Sequence, residues 1–206
     1  MRVPRPQGDR FCIEGQAMTT VSVVYHSGTG HNKMMAAAVA KGAAGMEGVN
    51  VNLIPIEGKD IVDGRWKNDK VLEQLDASDG IIFGSPTYMG SVSGQMESFL
   101  DATAERWLAQ AWKDKVAGGF SVSGGPSGDK FNTLVRFATL AMQQGMIWVG
   151  LGMLPNAEGL NRLSFYFGAA GQAMQEPPEE APNEVDKKTG ELLGRRVAEV
   201  ARKLHG

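Results

Sequence analysis

The chain has 206 residues, of which 42% are hydrophobic and 21% charged, with a formal net charge of −2. That length suits one domain of roughly 150 to 200 residues plus extensions, with enough core to fold without disulfides or metal. Nothing in the charge balance suggests a nucleic-acid footprint or a basic membrane-binding surface, and the lone cysteine, Cys12, excludes an internal disulfide and a cysteine-based metal centre.

A single cysteine fits a reducing, cytoplasmic compartment. The longest apolar run, Met146 to Leu154, is too short to span a bilayer. Residues 1–17 lack the apolar segment of a secretory signal. They are expected to be a disordered tail or expression remnant, with a short ordered extension as the alternative and the domain running from Met18 to Gly206.

The elements follow in order. Val21 to Tyr25 is a β-branched run and reads as the first strand. Met34, Met35, Ala38, Val39 and Gly42 share one helical face, so Gly30 to about Met46 reads as a helix. Val49 to Ile54 is the second strand, and a short helix is expected over Asp69 to Leu75. Gly80 to Gly84 is apolar throughout, as suits a strand covered on both faces. A helix over Ser93 to Trp107, a strand over Lys115 to Val122, a helix over Phe131 to Gly145 and a strand over Met146 to Val149 come next. Residues 150–182 read as mostly irregular, with Glu176 to Pro182 an extended surface linker. From Glu184 the spacing of Leu192, Leu193, Val197, Val200, Ala201 and Leu204 predicts a closing helix.

Strands alternating with helices imply a doubly wound parallel sheet. The flavodoxin-like order 2-1-3-4-5 is the natural topology, giving a three-layer α/β sandwich. Ligands then bind beyond the carboxyl ends of the strands, so three loops matter.

The loop after the first strand contains Ser27, Gly28, Thr29, Gly30, His31 and Asn32. Its glycines permit close backbone approach, its side chains donate, and the helix start offers free N–H groups to a phosphate. An ordinary strand-to-helix turn also favours Gly and Ser. The loop fits neither G-x-G-x-x-G, because Lys33 follows, nor the Walker A pattern. The loop after the third strand contains Pro86, Thr87, Tyr88, Met89 and Gly90, which can present backbone groups to the polar edge of a flat ring. The loop after the fourth strand contains Val122, Ser123, Gly124, Gly125, Pro126 and Ser127. Each loop alone also reads as a plain turn or linker; their joint presence supports a common site.

The motifs Val24-Tyr25-His26-Ser27-x-x-Gly30-His31, Phe83-Gly84-Ser85-Pro86-Thr87 and Ser93-Gly94-Gln95-Met96-x-x-Phe99-Leu100-Asp101 resemble those of the WrbA family. The resemblance covers about Val21 to Gly206. It implies a flavodoxin-like, FMN-dependent NAD(P)H:quinone oxidoreductase, a homodimer or homotetramer, with NAD(P)H as co-substrate and a small-molecule quinone as acceptor. It assigns the FMN phosphate to Ser27–Asn32, the flavin ring to Thr87, Tyr88 and Met89, and a third contact to Val122–Ser127. It places Trp107 beside the substrate. The sequence departs from the family where Gln143 stands in place of a pocket histidine, and where Tyr88 replaces an arginine. Gln143 can hydrogen-bond a quinone oxygen but cannot carry a proton, so no catalytic residue is certain. The general flavodoxin pattern also matches Gly28-Thr29-Gly30. An electron-carrier flavodoxin and an FMN-dependent redox-sensing interaction protein are the competing expectations. Carriers are usually strongly acidic to dock on basic partners, which −2 does not match.

Overall fold

A computed structural model describes residues 18–206; the expected tail over 1–17, with Cys12, lies outside the described residues. The central sheet is built from β1 (Thr19–Tyr25), β2 (Val49–Pro55), β5 (Gly80–Pro86), β6 (Val116–Ser123), β7 (Ile147–Trp148) and β8 (Ala169–Gln172). A small antiparallel pair, β3 (Ile61–Val62) and β4 (Arg65–Trp66), stands apart. The helices are α1 (His31–Ala44), α2 (Asp69–Asp76), α3 (Gly94–Asp101), α4 (Ala104–Leu108), α5 (Lys130–Gln143) and α6 (Glu184–His205). The sheet runs β2-β1-β5-β6-β7, all parallel, with β8 also paired to β6. This is the expected order 2-1-3-4-5, since the β3–β4 pair lies off the path.

Alternation along the strands divides the core. Val21, Val23 and Tyr25 of β1 join Phe120 and Val122 of β6 beneath α1 and α6. Val24, Ile81 and Phe83 face the other way, against Leu75, Phe99, Trp112 and Phe137. Every residue of β5 is buried, because helices cover both of its faces. On the first face α1 and α6 meet backbone to backbone. A Cβ at Gly42 would collide with the Glu191 carbonyl oxygen, and one at Gly194 with the Val39 carbonyl oxygen.

Three sequence expectations need correction. The fifth strand is not one segment: Ile147 and Trp148 pair with Val116 and Ala117, while Ala169–Gln172 pairs with Phe120–Ser123. Residues 149–168 loop out between these halves. β8 was hidden within an irregular reading because it is Ala-Ala-Gly-Gln, with no β-branched signal. Tight surroundings require that composition: a Cβ at Gly171 would sit 2.8 Å from Met35 Cε, and one at Gly168 would strike the Gly119 carbonyl. The helix expected over Ser93–Trp107 breaks after Asp101. There Thr103 Oγ1 donates back to the Leu100 carbonyl (2.7 Å), and Gln144 Nε2 donates to the Thr103 carbonyl (3.1 Å). Glu176–Pro182 is not a free linker. His31 Nε2 donates to the Glu176 carbonyl (2.7 Å), and Pro178 packs on Gly30.

Among the described residues no helix is long and apolar enough to cross a membrane, and no cluster of three or more His, Cys, Asp or Glu is placed to hold a metal.

Candidate functional site

β1, β5 and β6 end side by side, so the loops that follow them open onto one cavity of about 260 Å³. Its lining includes Ser27, Gly28, Thr29, His31 and Asn32 from the first loop, Pro86, Thr87 and Tyr88 from the second, and Val122, Ser123 and Gly124 from the third.

The first loop is held from within. Ser27 Oγ accepts from the N–H of Gly30 and of Lys33, both at 3.1 Å. Ser27 thus does the work of an N-cap, which Gly30, in the left-handed region at φ 95°, has no side chain to do. The N–H groups of Gly28, Thr29, His31 and Asn32 have no hydrogen-bond partner among the described residues. They cluster at the start of the 14-residue α1, where the helix dipole adds about half a positive charge. Asn32 donates to the His26 carbonyl (2.7 Å), which leaves its buried Oδ1 without a partner. His31 accepts through Nδ1 from the Thr29 hydroxyl (2.9 Å) while its Nε2 bonds the Glu176 segment. It therefore clasps the loop to the chain between β8 and α6.

The second loop is pinned at its base and tight at its tip. The Thr87 N–H donates to the Val122 carbonyl (3.2 Å), and Thr87 Oγ1 lies 2.8 Å from both Ser121 Oγ and Thr133 Oγ1. Tyr88 and Ser91 bond each other around Met89 and Gly90, both at positive φ. Tyr88 leans over the first loop: a Cβ on Gly28 would meet its hydroxyl at 2.5 Å. Beneath this loop Ser93 Oγ lies 2.8 Å from Nδ1 of buried His26. Burial holds the imidazole pKa below its ordinary value, so the neutral ring accepts the serine hydroxyl.

The remaining expected residues fall elsewhere. Met89 is fully exposed at the rim, and Gly30, Gly90 and Gly125 do not line the cavity. Pro126 and Ser127 instead border a separate apolar cavity of about 520 Å³ with Phe131, Phe165 and Phe167. Trp107 and Gln143 do meet, in a hollow of about 200 Å³ shared with Arg136 and Leu140. That hollow lies at the far end of α5, whose 14 residues set it about 20 Å from the third loop. Within one chain these two side chains therefore do not reach the cavity.

Ala173 and Met174, just past β8, complete the wall and were not anticipated. Lys130, Gln172 and Asp186 lie behind the third loop and were likewise missed. A buried lysine at the first position of a helix carries no periodicity signal that marks it.

Comparison with known proteins bears on the family and the fold. Residues 21–157 match the family described as NADPH-dependent FMN reductase. The chain is 37% identical over 195 residues to flavodoxin FldP of Pseudomonas aeruginosa, covering 91% of this chain and all of the relative. It is 36% identical over 200 residues to an NAD(P)H dehydrogenase (quinone) of Archaeoglobus fulgidus, with the same coverage. The crystal structure of a WrbA-like flavodoxin from Agrobacterium tumefaciens superposes with a TM-score of 0.71 at 39% identity, covering 90% of this chain and 98% of that one.

Proposed function

The chain belongs to the NADPH-dependent FMN reductase family, within its WrbA-like members, and on that premise we propose that it is an FMN-dependent NAD(P)H:quinone oxidoreductase. The observation that carries this reading is the cradle of four unpartnered N–H groups at the α1 terminus, facing a cavity where three loops converge.

The residues fit the cofactor. The N–H groups of Gly28, Thr29, His31 and Asn32 would hold a phosphate without lysine or arginine. The orphaned Asn32 Oδ1 is an acceptor that a ribityl hydroxyl would satisfy. Thr87, Tyr88, Ser123 and Gly124 would flank the ring. Bound FMN would supply two-electron redox chemistry between a nicotinamide and a quinone. The protein's part is to orient the ring, to let nicotinamide and quinone use one exposed face in turn, and to keep the phosphate end closed. His31 supplies that closure by tying the first loop to the Glu176 segment.

Trp107 and Gln143 enter through assembly. Their hollow is remote from the cavity of their own chain, and Trp107, Leu108 and Met142 beside it are exposed apolar side chains. In a homodimer or homotetramer, this face of one copy would border the flavin cavity of another. There Gln143 would donate a hydrogen bond to a quinone oxygen but supply no proton.

Two observations favour a second reading, an electron-carrier flavodoxin or redox-sensing protein without quinone turnover. The chain resembles a protein named as a flavodoxin, and its own cavity is bordered by neither Trp107 nor Gln143. The deciding experiment is NADH or NADPH oxidation by the FMN-loaded protein with benzoquinone. Steady turnover supports the oxidoreductase; retained FMN without turnover supports the carrier or sensor.

A further inference from the structure

Lys130 has no place in the scheme above, yet it is fully buried. It opens α5, and its side chain runs back beneath the third loop. There Nζ donates to Ser123 Oγ (2.9 Å) and to the Gly125 carbonyl (2.6 Å), and lies 5.8 Å from the centre of the Phe165 ring. Gln172 Nε2 secures the neighbouring Gly124 carbonyl (3.2 Å). The glycine-rich loop is thus held from behind.

The charges around Lys130 do not cancel. β6 and β8 bring no charged side chain to it. α6 contributes Asp186, and the 149–168 excursion contributes Arg162. Those two are already committed to each other through paired bonds of 2.8 Å, and Asp186 also accepts from the Gln172 N–H (3.0 Å). Lys130 makes no ion pair among the described residues, only bonds to neutral oxygens. Two cations and one carboxylate leave one net positive charge behind the cavity wall. Burying an ammonium without a carboxylate is costly, and its pKa is pushed down to about 8 by that burial.

The charge reaches the cavity through Ser123. With a lone pair taken by Nζ, the Ser123 hydroxyl keeps one hydrogen, and no described residue accepts it. Ser123 lines the cavity, so this hydrogen is available to a ligand acceptor. We propose that Lys130 is a positioning residue that fixes Ser123 as a donor to the acceptor edge of the bound flavin ring and, through its charge, favours the reduced over the oxidised cofactor. This rests on the cavity being the FMN site. Reduction adds two electrons and a proton to the ring, and the negative charge left on its pyrimidine edge is what the ammonium stabilises.

The test is the midpoint potential of bound FMN, measured with a reporter dye and a chemical reductant, in the wild type, Lys130→Met and Lys130→Gln. Loss of the charge should weaken the preference for reduced over oxidised FMN about tenfold, a fall of about 30 mV for a two-electron couple. Lys130→Gln keeps a donor toward Ser123, so it should fold even if Lys130→Met does not, and should show the same fall. The wild type should also lose this preference on its own as pH rises from 7 through 8 to 10, while the variants follow the slope of the flavin alone. Wild type and variants with equal potentials and parallel pH profiles would overturn the proposal and leave the cofactor site standing. A wild type that retains no FMN would overturn the cofactor reading and this proposal with it.

Discussion

At the level of single residues, the site depends on polar groups whose partners are chosen by burial. His26 shows this most directly. Its Nδ1 accepts from Ser93, the residue whose hydroxyl also caps α3 by accepting from the Met96 N–H (3.3 Å). Burial lowers its pKa from the ordinary 6.5, so the unfolded chain binds a proton that the fold resists. The sign follows from linkage: where the unfolded state binds more protons, stability rises with pH. Stability should therefore fall as pH drops below about 6.5, and level off once the folded-state pKa is passed. Urea midpoints between pH 7.5 and 5 would show it, and His26→Gln should flatten that part of the curve. Parallel curves for the two proteins would contradict the assignment. Little of this was visible beforehand. His26 and His31 look equivalent in sequence, but one is a buried acceptor under the second loop and the other a half-buried clasp on the first. Only tertiary packing separates them. The Ser27–Asn32 loop was legible because its chemistry is local: glycines, small donors and a helix start lie within six residues.

Among the elements, the tightest constraint is the crossing of α1 and α6. The helical face read from Met35 and Val39 is real, and both are fully buried. What periodicity could not give is how closely the partner helix approaches. Gly42 and Gly194 answer that, since each faces the other helix's backbone. A rigid carbonyl cannot yield as a side-chain tip can, so Gly194→Ala should destabilise the fold by about 1–3 kcal/mol or more, the usual cost of overpacking. Chemical denaturation should report the loss; an unchanged midpoint would mean the helices can slide apart freely. Exposed Gly58, with open space around it, is the matching control. The same principle explains the missed strand β8. Small residues were demanded by close neighbours, so the usual β-forming side chains are absent. Strands β1 and β5 were readable because one is β-branched and the other an apolar run buried by helices on both faces. The break between α3 and α4 was not, because Gln144 contributes to it from 41 residues away.

For the whole molecule, the sheet order brings three loops together at one edge and carries Trp107 and Gln143 to the other. The topology was legible from alternation of strands and helices. The separation followed from the direction and length of α5, which any reading by motif alone leaves out. If a second copy supplies Trp107, then Trp107→Ala should lower quinone turnover and shift the oligomer toward smaller species, while FMN stays bound by the N–H cradle of its own chain. Light scattering with the quinone assay would check this. A monomer with full turnover would contradict the role assigned to the second copy.

The central claim is that the α1 terminus receives a phosphate. The most direct measurement compares the affinities of FMN and riboflavin by quenching of flavin fluorescence. The two ligands share the ring and ribityl chain and differ only in the phosphate. Two or more charge-assisted hydrogen bonds from the free N–H groups, at about 1.5–3 kcal/mol each, predict FMN binding at least about a hundredfold tighter. Equal affinities, or no binding of either, would contradict the account.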